Sequence, residues 1–155
     1  MEVLYFAYGS CMDEIDFKRT VGEFKTLGSA TLMNYRLAFS LYGKSRGGGV
    51  ADVIPSAGEE VQGVLYSFDS KWLEHLDERE GVPDKVYERI EVEVSHNGKN
   101  IKCYTYQVVE KEDQEIAPAL PYLQLMRNGL EKHAQKEYLN QFIVKIKQQF
   151  NLEIR

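Results

Sequence analysis

Ile90-Glu91-Val92-Glu93-Val94 alternates strictly between apolar and charged side chains. Successive side chains of an extended chain point to opposite faces, so this segment offers one face to a core and one to water. Asn97-Gly98 follows closely, a pair that tolerates the positive φ angles of a tight hairpin. The chain then returns through Ile101–Val109, where Tyr104, Tyr106 and Val108 share a face. A hairpin with one wet face is thereby specified, and its dry face must be covered by other elements.

The rest of the chain supplies them. Val3–Ala7, Phe24–Leu32, Tyr35–Leu41, Val50–Ile54 and Glu60–Phe68 read as further strands, the last two separated by a turn at Pro55-Ser56-Ala57-Gly58. Lys44-Ser45-Arg46-Gly47-Gly48-Gly49 reads as a flexible connection, since a triple glycine has no side chain to hold it. Helices are expected over Met12–Thr20, after an N-cap at Ser70 (carrying Trp72, Leu73 and Leu76), near Tyr122–Arg127, and over Gln135–Phe150. In that last helix Tyr138, Phe142, Ile146 and Phe150 recur at four-residue steps, a core-facing stripe. Strands in runs with helices inserted and appended indicate an α+β fold, with a largely antiparallel or mixed sheet able to close into a small β-barrel. The 155 residues suit a single domain, 1–155, with no repeat and no linker.

Composition narrows the function. The net charge is −5 and the lysines and arginines are dispersed among more numerous carboxylates, which is no footprint for nucleic acid. The N-terminus lacks the regions of a signal peptide, and no apolar run approaches the length of a membrane span. The two cysteines, Cys11 and Cys103, stand far apart, so free thiols and a cytoplasmic location are expected. His75, His96 and His133 are scattered, with neither CxxC nor HxxxH, and no metal site is expected.

Two stretches carry chemistry. In Glu74–Glu88 the carboxylates are not equivalent. At about 100° per residue, Glu80 falls about 35° from the centre of the stripe formed by Trp72, Leu73 and Leu76, and Glu78 falls opposite. If the helix runs to Gly81, Glu80 is the acid aimed inward; if it ends at Asp77, Glu80 is a solvated loop residue. An inward carboxylate has a raised pKa and suits general base and acid catalysis near neutral pH.

The second stretch is Tyr8-Gly9-Ser10-Cys11-Met12, which ends the first strand just before a helix. Such a turn exposes backbone N–H groups that can hold a carboxylate or a developing oxyanion. Cys11 at this place is either a buried, inert thiol or a nucleophile, and the second reading requires a histidine that the sequence does not place there.

Taken together, these residues resemble the gamma-glutamylcyclotransferase family. The resemblance rests on Tyr5-Phe6-Ala7-Tyr8-Gly9-Ser10; on Gly49-Val50-Ala51-Asp52-Val53-Ile54 with Glu60-Val61-Gln62-Gly63-Val64-Leu65-Tyr66; and on Leu76-Asp77-Glu78-Arg79-Glu80-Gly81-Val82. Tyr87, opening the strand Ile90–Val94, and Cys103-Tyr104-Thr105-Tyr106 complete it, with a weaker echo in Pro121-Tyr122 and Asn128-Gly129-Leu130. It implies a small mixed barrel with flanking helices and a cofactor-free reaction in which a γ-glutamyl amide cyclises to 5-oxoproline and frees an amine. By the same resemblance Glu80 is the essential carboxylate, Tyr8, Gly9, Ser10, Cys11 and Met12 form the substrate-cradling turn, and Tyr106 and Tyr122 help to line the pocket. Many members carry Asn where this chain has Cys11.

Tyr87, Tyr104, Tyr106 and Tyr122 are also readable as core tyrosines with wet hydroxyls, and about half of them are expected at a pocket. Two other functions stay open on the sequence: a Cys11-dependent amidohydrolase releasing glutamate, and a non-catalytic small-molecule-binding domain of the same fold. The expected partner is a small γ-glutamyl compound rather than nucleic acid or membrane. The amine half and the oligomeric state stay open, a homodimer being compatible with a domain of this type.

Overall fold

The computed structural model covers Met1–Arg155. Strands β4 (Tyr87–His96) and β5 (Lys99–Val108) pair antiparallel from Tyr87↔Val108 to His96↔Lys99. Asn97 (φ 52°) and Gly98 (φ 77°) both sit in the left-handed region, as a two-residue primed turn requires.

The other strands are β1 (Glu2–Ala7), β2 (Lys25–Gly43) and β3 (Gly48–Asp69). The order around the sheet is β1-β3-β2-β4-β5, and the sheet closes where β1 meets β5 in parallel at Tyr5↔Tyr104. All other pairings are antiparallel, so the curled sheet is a small mixed barrel.

Four expected strands are therefore two long, bent ones. The breaks fall where the sequence marks them, at Met33-Asn34 and Pro55–Gly58, but neither reverses the chain. Pairing steps from Tyr35↔Pro55 to Met33↔Glu60. Ser56–Glu59 bulge out opposite Asn34, which takes φ 64° and accepts a hydrogen bond from the Gly58 amide at 3.1 Å. A wide bulge bends a strand where a turn would end it.

Gly48 and Gly49 also differ from expectation: they belong to β3 and are buried. A Cβ on Gly49 would stand 2.0 Å from the Ile116 carbonyl oxygen, and one on Gly48 2.7 Å from the Ala119 nitrogen. These glycines admit the 116–119 segment against the sheet, and only the preceding Lys44–Gly47 is a turn.

Helices α1 (Glu14–Lys18), α2 (Leu73–Arg79), α3 (Leu120–His133) and α4 (Lys136–Phe150) flank the barrel. The first is shorter than Met12–Thr20 because Ser10–Met12 form a separate tight turn and Asp13 caps the helix by accepting from the Asp16 amide. Asp69, one residue before the expected Ser70, caps the entry to α2. Inside, Tyr5, Phe17 and Tyr66 stack, with Phe17 and Tyr66 ring centres 4.3 Å apart, and Phe68 packs edge-on against Tyr5. This aromatic floor fixes the end of β1, and hence the bend that follows it.

Candidate active site

Beyond Ala7, Tyr8 and Gly9 lead into the Ser10–Met12 turn. The Met12 amide donates to the Gly9 carbonyl and the Asp13 amide to Ser10, each at 3.1 Å. The N–H groups of Gly9, Ser10 and Cys11 find no acceptor within the protein. Three backbone donors are left unspent at one bend, and polar groups in such a place call for a partner from outside.

Helix α2 points its C-terminal end at the same place. It runs to Arg79, Glu80 caps it in the right-handed helical conformation, and Gly81 at φ 70° turns the chain away. Glu80 thus stays on the helical wheel, with its side chain on the core side that Leu76 anchors. The residue as a whole keeps partial exposure, while its carboxyl lines a small cavity of about 40 Å³ together with Tyr5, Tyr8, Gly9, Ser10, Cys11, Ala51, Tyr87, Tyr106 and Tyr122.

Burial raises the Glu80 pKa to about 7, opposed by the positive charges of Arg79 and Arg46. Neither arginine is bonded to it. Both are drawn to the buried carboxylate of Asp16, and both donate to the Ser10 hydroxyl at 3.2 Å. Because Asp16 holds the nearby cations, Glu80 is desolvated without being neutralised, the condition for a carboxyl that exchanges its proton near pH 7.

The tyrosine walls are held by the backbone. Ala51 donates its N–H to the Tyr122 hydroxyl (2.9 Å) and accepts the Tyr87 hydroxyl at its carbonyl (2.5 Å). Tyr8 donates to the Tyr106 carbonyl, and Tyr106 donates to Asp77, each at 2.6 Å. Burial raises the pKa values of all four phenols, so they stay neutral donors. The Tyr122 hydroxyl accepts from Ala51 and keeps its own proton free to donate into the cavity.

Of the residues singled out from the sequence, Tyr8, Gly9, Ser10, Cys11, Glu80, Tyr106 and Tyr122 line this cavity. Met12 does not. Its amide is consumed within the turn, and its buried side chain lies under α3 at Gly129, where a Cβ would stand 2.3 Å from the Met12 Cβ. Tyr87 lines the cavity and Tyr104 does not. Tyr5 and Ala51 are lining residues that sequence reasoning passed over as plain strand core. Only the two-residue alternation of β1, which puts Tyr5 off the Phe6 face, hinted at the first of them.

Cys11 is buried, and burial pushes its pKa up to about 12. No histidine lines the cavity. Nowhere do three or more potential metal ligands converge, and no helix is long and apolar enough to cross a membrane.

The family model for gamma-glutamyl cyclotransferase, AIG2-like, matches residues 5–124. The chain is 36% identical over 140 residues to the putative gamma-glutamylcyclotransferase YkqA of Bacillus subtilis, a match covering 88% of this chain and 49% of that protein. It is 35% identical over 144 residues to the gamma-glutamylcyclotransferase of Bos taurus, covering 86% and 76%. A solved gamma-glutamyl cyclotransferase superposes with a TM-score of 0.86 at 27% identity, over 100% of this chain and 94% of that one. The crystal structure of YkqA gives 0.84 at 31%, over 99% and 56%. The present chain spans about half the length of the Bacillus relative.

Proposed function

The chain belongs to the gamma-glutamyl cyclotransferase, AIG2-like family, and from that membership we propose that its cavity cyclises a γ-glutamyl amide to 5-oxoproline and releases the amine. The α-amino nitrogen of the γ-glutamyl group attacks its own γ-carbonyl carbon, a C–N bond closes the five-membered lactam, and the bond to the amine half breaks. The attacking amine must lose one proton and the leaving nitrogen must gain one. Glu80, as carboxylate, takes the first and returns it as carboxylic acid to the second.

The observation that carries this reading is Glu80, its carboxyl desolvated to a pKa of about 7, lining the same cavity as Gly9, Ser10 and Cys11, whose amides are unspent. Those amides suit the charge that develops on the γ-carbonyl oxygen, or the substrate's α-carboxylate. Nucleophile and electrophile are already tethered, so holding the ring-closing pose supplies several kcal/mol of rate enhancement, by analogy with effective molarities of roughly 10⁵ M and above.

The test is product identity. The protein incubated with γ-glutamylalanine is expected to release 5-oxoproline and alanine in equal amounts, measured by chromatography. Free glutamate in place of 5-oxoproline overturns the reading.

Two variants refine it. A Cβ at Gly9 would stand 3.1 Å from the Tyr122 hydroxyl and 3.4 Å from the Ala51 Cβ. Gly9→Ala therefore makes the Tyr122 hydroxyl yield by a few tenths of an ångström at the bend, with kcat/KM expected to fall by about tenfold, less than the cost of a full 1 Å misplacement, while the melting temperature changes little. Cys11→Ala is expected to cost less than about tenfold and to leave 5-oxoproline as the product, because a thiol held protonated to about pH 12 offers little thiolate. A loss of three orders of magnitude or more in that variant would transfer the chemistry to sulfur.

A further inference from the structure

The cavity, about 40 Å³, is too small to hold more than the reacting end of a substrate. Ser10, Glu80, Tyr87 and Tyr122 line it and also line an adjoining open cleft of about 1060 Å³. A substrate anchored at Glu80 must place its amine half in this cleft.

The cleft has an unusual charge for this chain. The molecule carries −5 overall. Yet the charged residues of the cleft are four cations, Arg19, Lys44, Arg46 and Arg79, against two acids, Asp16 and Glu80. With Glu80 ionised the cleft carries +2. Asp16 is spent on Arg46 and Arg79. Arg19 and Lys44 are exposed and form no ion pair or side-chain hydrogen bond. They stand on separate elements, Arg19 at the end of α1 and Lys44 in the β2–β3 turn. Arg46, from the same turn, lies over the Tyr122 ring at 5.6 Å, at the junction of cavity and cleft.

Uncommitted cations on separate elements lining one cleft of an otherwise acidic molecule focus a positive potential, which draws and orients anions. The volume of the cleft also exceeds what one amino acid fills. We propose that the amine half of the substrate is an extended, multiply carboxylated group: a γ-glutamyl peptide bearing two or more carboxylates beyond the scissile amide, as in a γ-linked glutamyl oligomer. This rests on the cyclisation reading and adds to it the identity of the amine half. The first glutamyl unit closes to 5-oxoproline through its own α-amine. The leaving group is then the α-amine of the next unit, whose carboxylates lie toward Arg46, Arg19 and Lys44.

The experiment compares kcat/KM, by 5-oxoproline release, for γ-glutamylalanine, ε-(γ-glutamyl)lysine, γ-glutamylglutamate and γ-glutamyl-γ-glutamylglutamate. The triglutamyl substrate is expected to exceed γ-glutamylalanine by about tenfold or more, and the lysine compound, with its added ammonium, to fall below both. Raising the salt from about 20 mM to 300 mM should compress the advantage, because exposed charges are screened. In the double variant Arg19→Gln/Lys44→Gln, the triglutamyl-to-alanyl ratio should drop toward one, with circular dichroism reporting an intact fold. Equal kcat/KM across the panel, or a ratio insensitive to both salt and the double variant, overturns the proposal while leaving cyclisation standing. Failure to release 5-oxoproline from any of the four overturns the cyclisation reading itself.

Discussion

Replacing Glu80 by glutamine is expected to lower kcat by about 10³-fold, the typical worth of a positioned general acid–base, and to make the protein more stable above pH 7. Both effects come from one cause. The Glu80 carboxyl is desolvated, and its neighbouring arginines are engaged by Asp16 and Ser10. Glutamine keeps the shape but can neither take nor return a proton, so turnover collapses while the cavity remains.

The stability effect has a definite sign. In the unfolded chain Glu80 releases its proton near pH 4.3, the ordinary glutamate value. In the folded protein it holds the proton until about pH 7. Between these values the folded state binds a proton that the unfolded state has lost, so stability falls as pH rises through the interval. Above pH 7 the whole penalty of a buried carboxylate is present, on the order of 1–3 kcal/mol once partial exposure is allowed for. The glutamine variant carries no such penalty. Urea unfolding should show the two proteins nearly matched at pH 4 and the variant more stable at pH 8. The kcat profile of the wild type should rise with a limb near pH 7 and flatten above it. A variant that is less stable at pH 8, or that keeps most of its turnover, would remove the desolvated proton carrier from the mechanism.

What the sequence made legible was local. The Ile90–Val94 alternation and the Asn97-Gly98 pair specify their hairpin without help from the rest of the chain, and the β4–β5 register follows from them. The side to which Glu80 points was legible on the condition that the helix reach Gly81, because wheel geometry and a left-handed glycine stop are both local rules. Tertiary packing hid the rest. Pro55–Gly58 has turn composition, yet the chain keeps its direction there, because strand pairing resumes beyond a bulge that Asn34 stabilises. Gly48 and Gly49 look like slack until the carbonyl of Ile116 is brought against them. Met12 belongs to a motif that faces the cavity, but the turn consumes its amide and α3 covers its side chain. Contacts between residues from 24 to 117 positions apart leave no periodicity in the sequence.

Asp52→Ala is expected to destabilise the fold by about 3–5 kcal/mol, the cost of stranding the partners of a buried charge. Asp52 is fully buried in β3. One carboxylate oxygen accepts from the amides of Val53 and Val108, each at 2.9 Å, and the other from the Lys111 ammonium at 2.8 Å. It thereby ties β3 to the end of β5 and to the segment beyond. Alanine leaves two buried amides without an acceptor and an ammonium without its counterion, and each unmet group costs free energy. Small domains hold about 5–15 kcal/mol in total, so such a loss is a large share of the whole. The adjacent residue gives the change a functional reach, since Ala51 anchors the hydroxyls of Tyr87 and Tyr122 through its carbonyl and amide. Asp52→Asn separates the two consequences. Its carboxamide oxygen can still accept from Val53 and Val108, and only the charge facing Lys111 is lost, so its destabilisation should be smaller than that of alanine. Adding Lys111→Met to Asp52→Asn should recover part of the loss, because the stranded ammonium goes with it. Urea titrations of the two single variants and the double variant give the coupling directly. If the single-site losses simply add, the Asp52–Lys111 ion pair contributes nothing to stability, and the tie between β3 and β5 rests on the Val53 and Val108 amides alone.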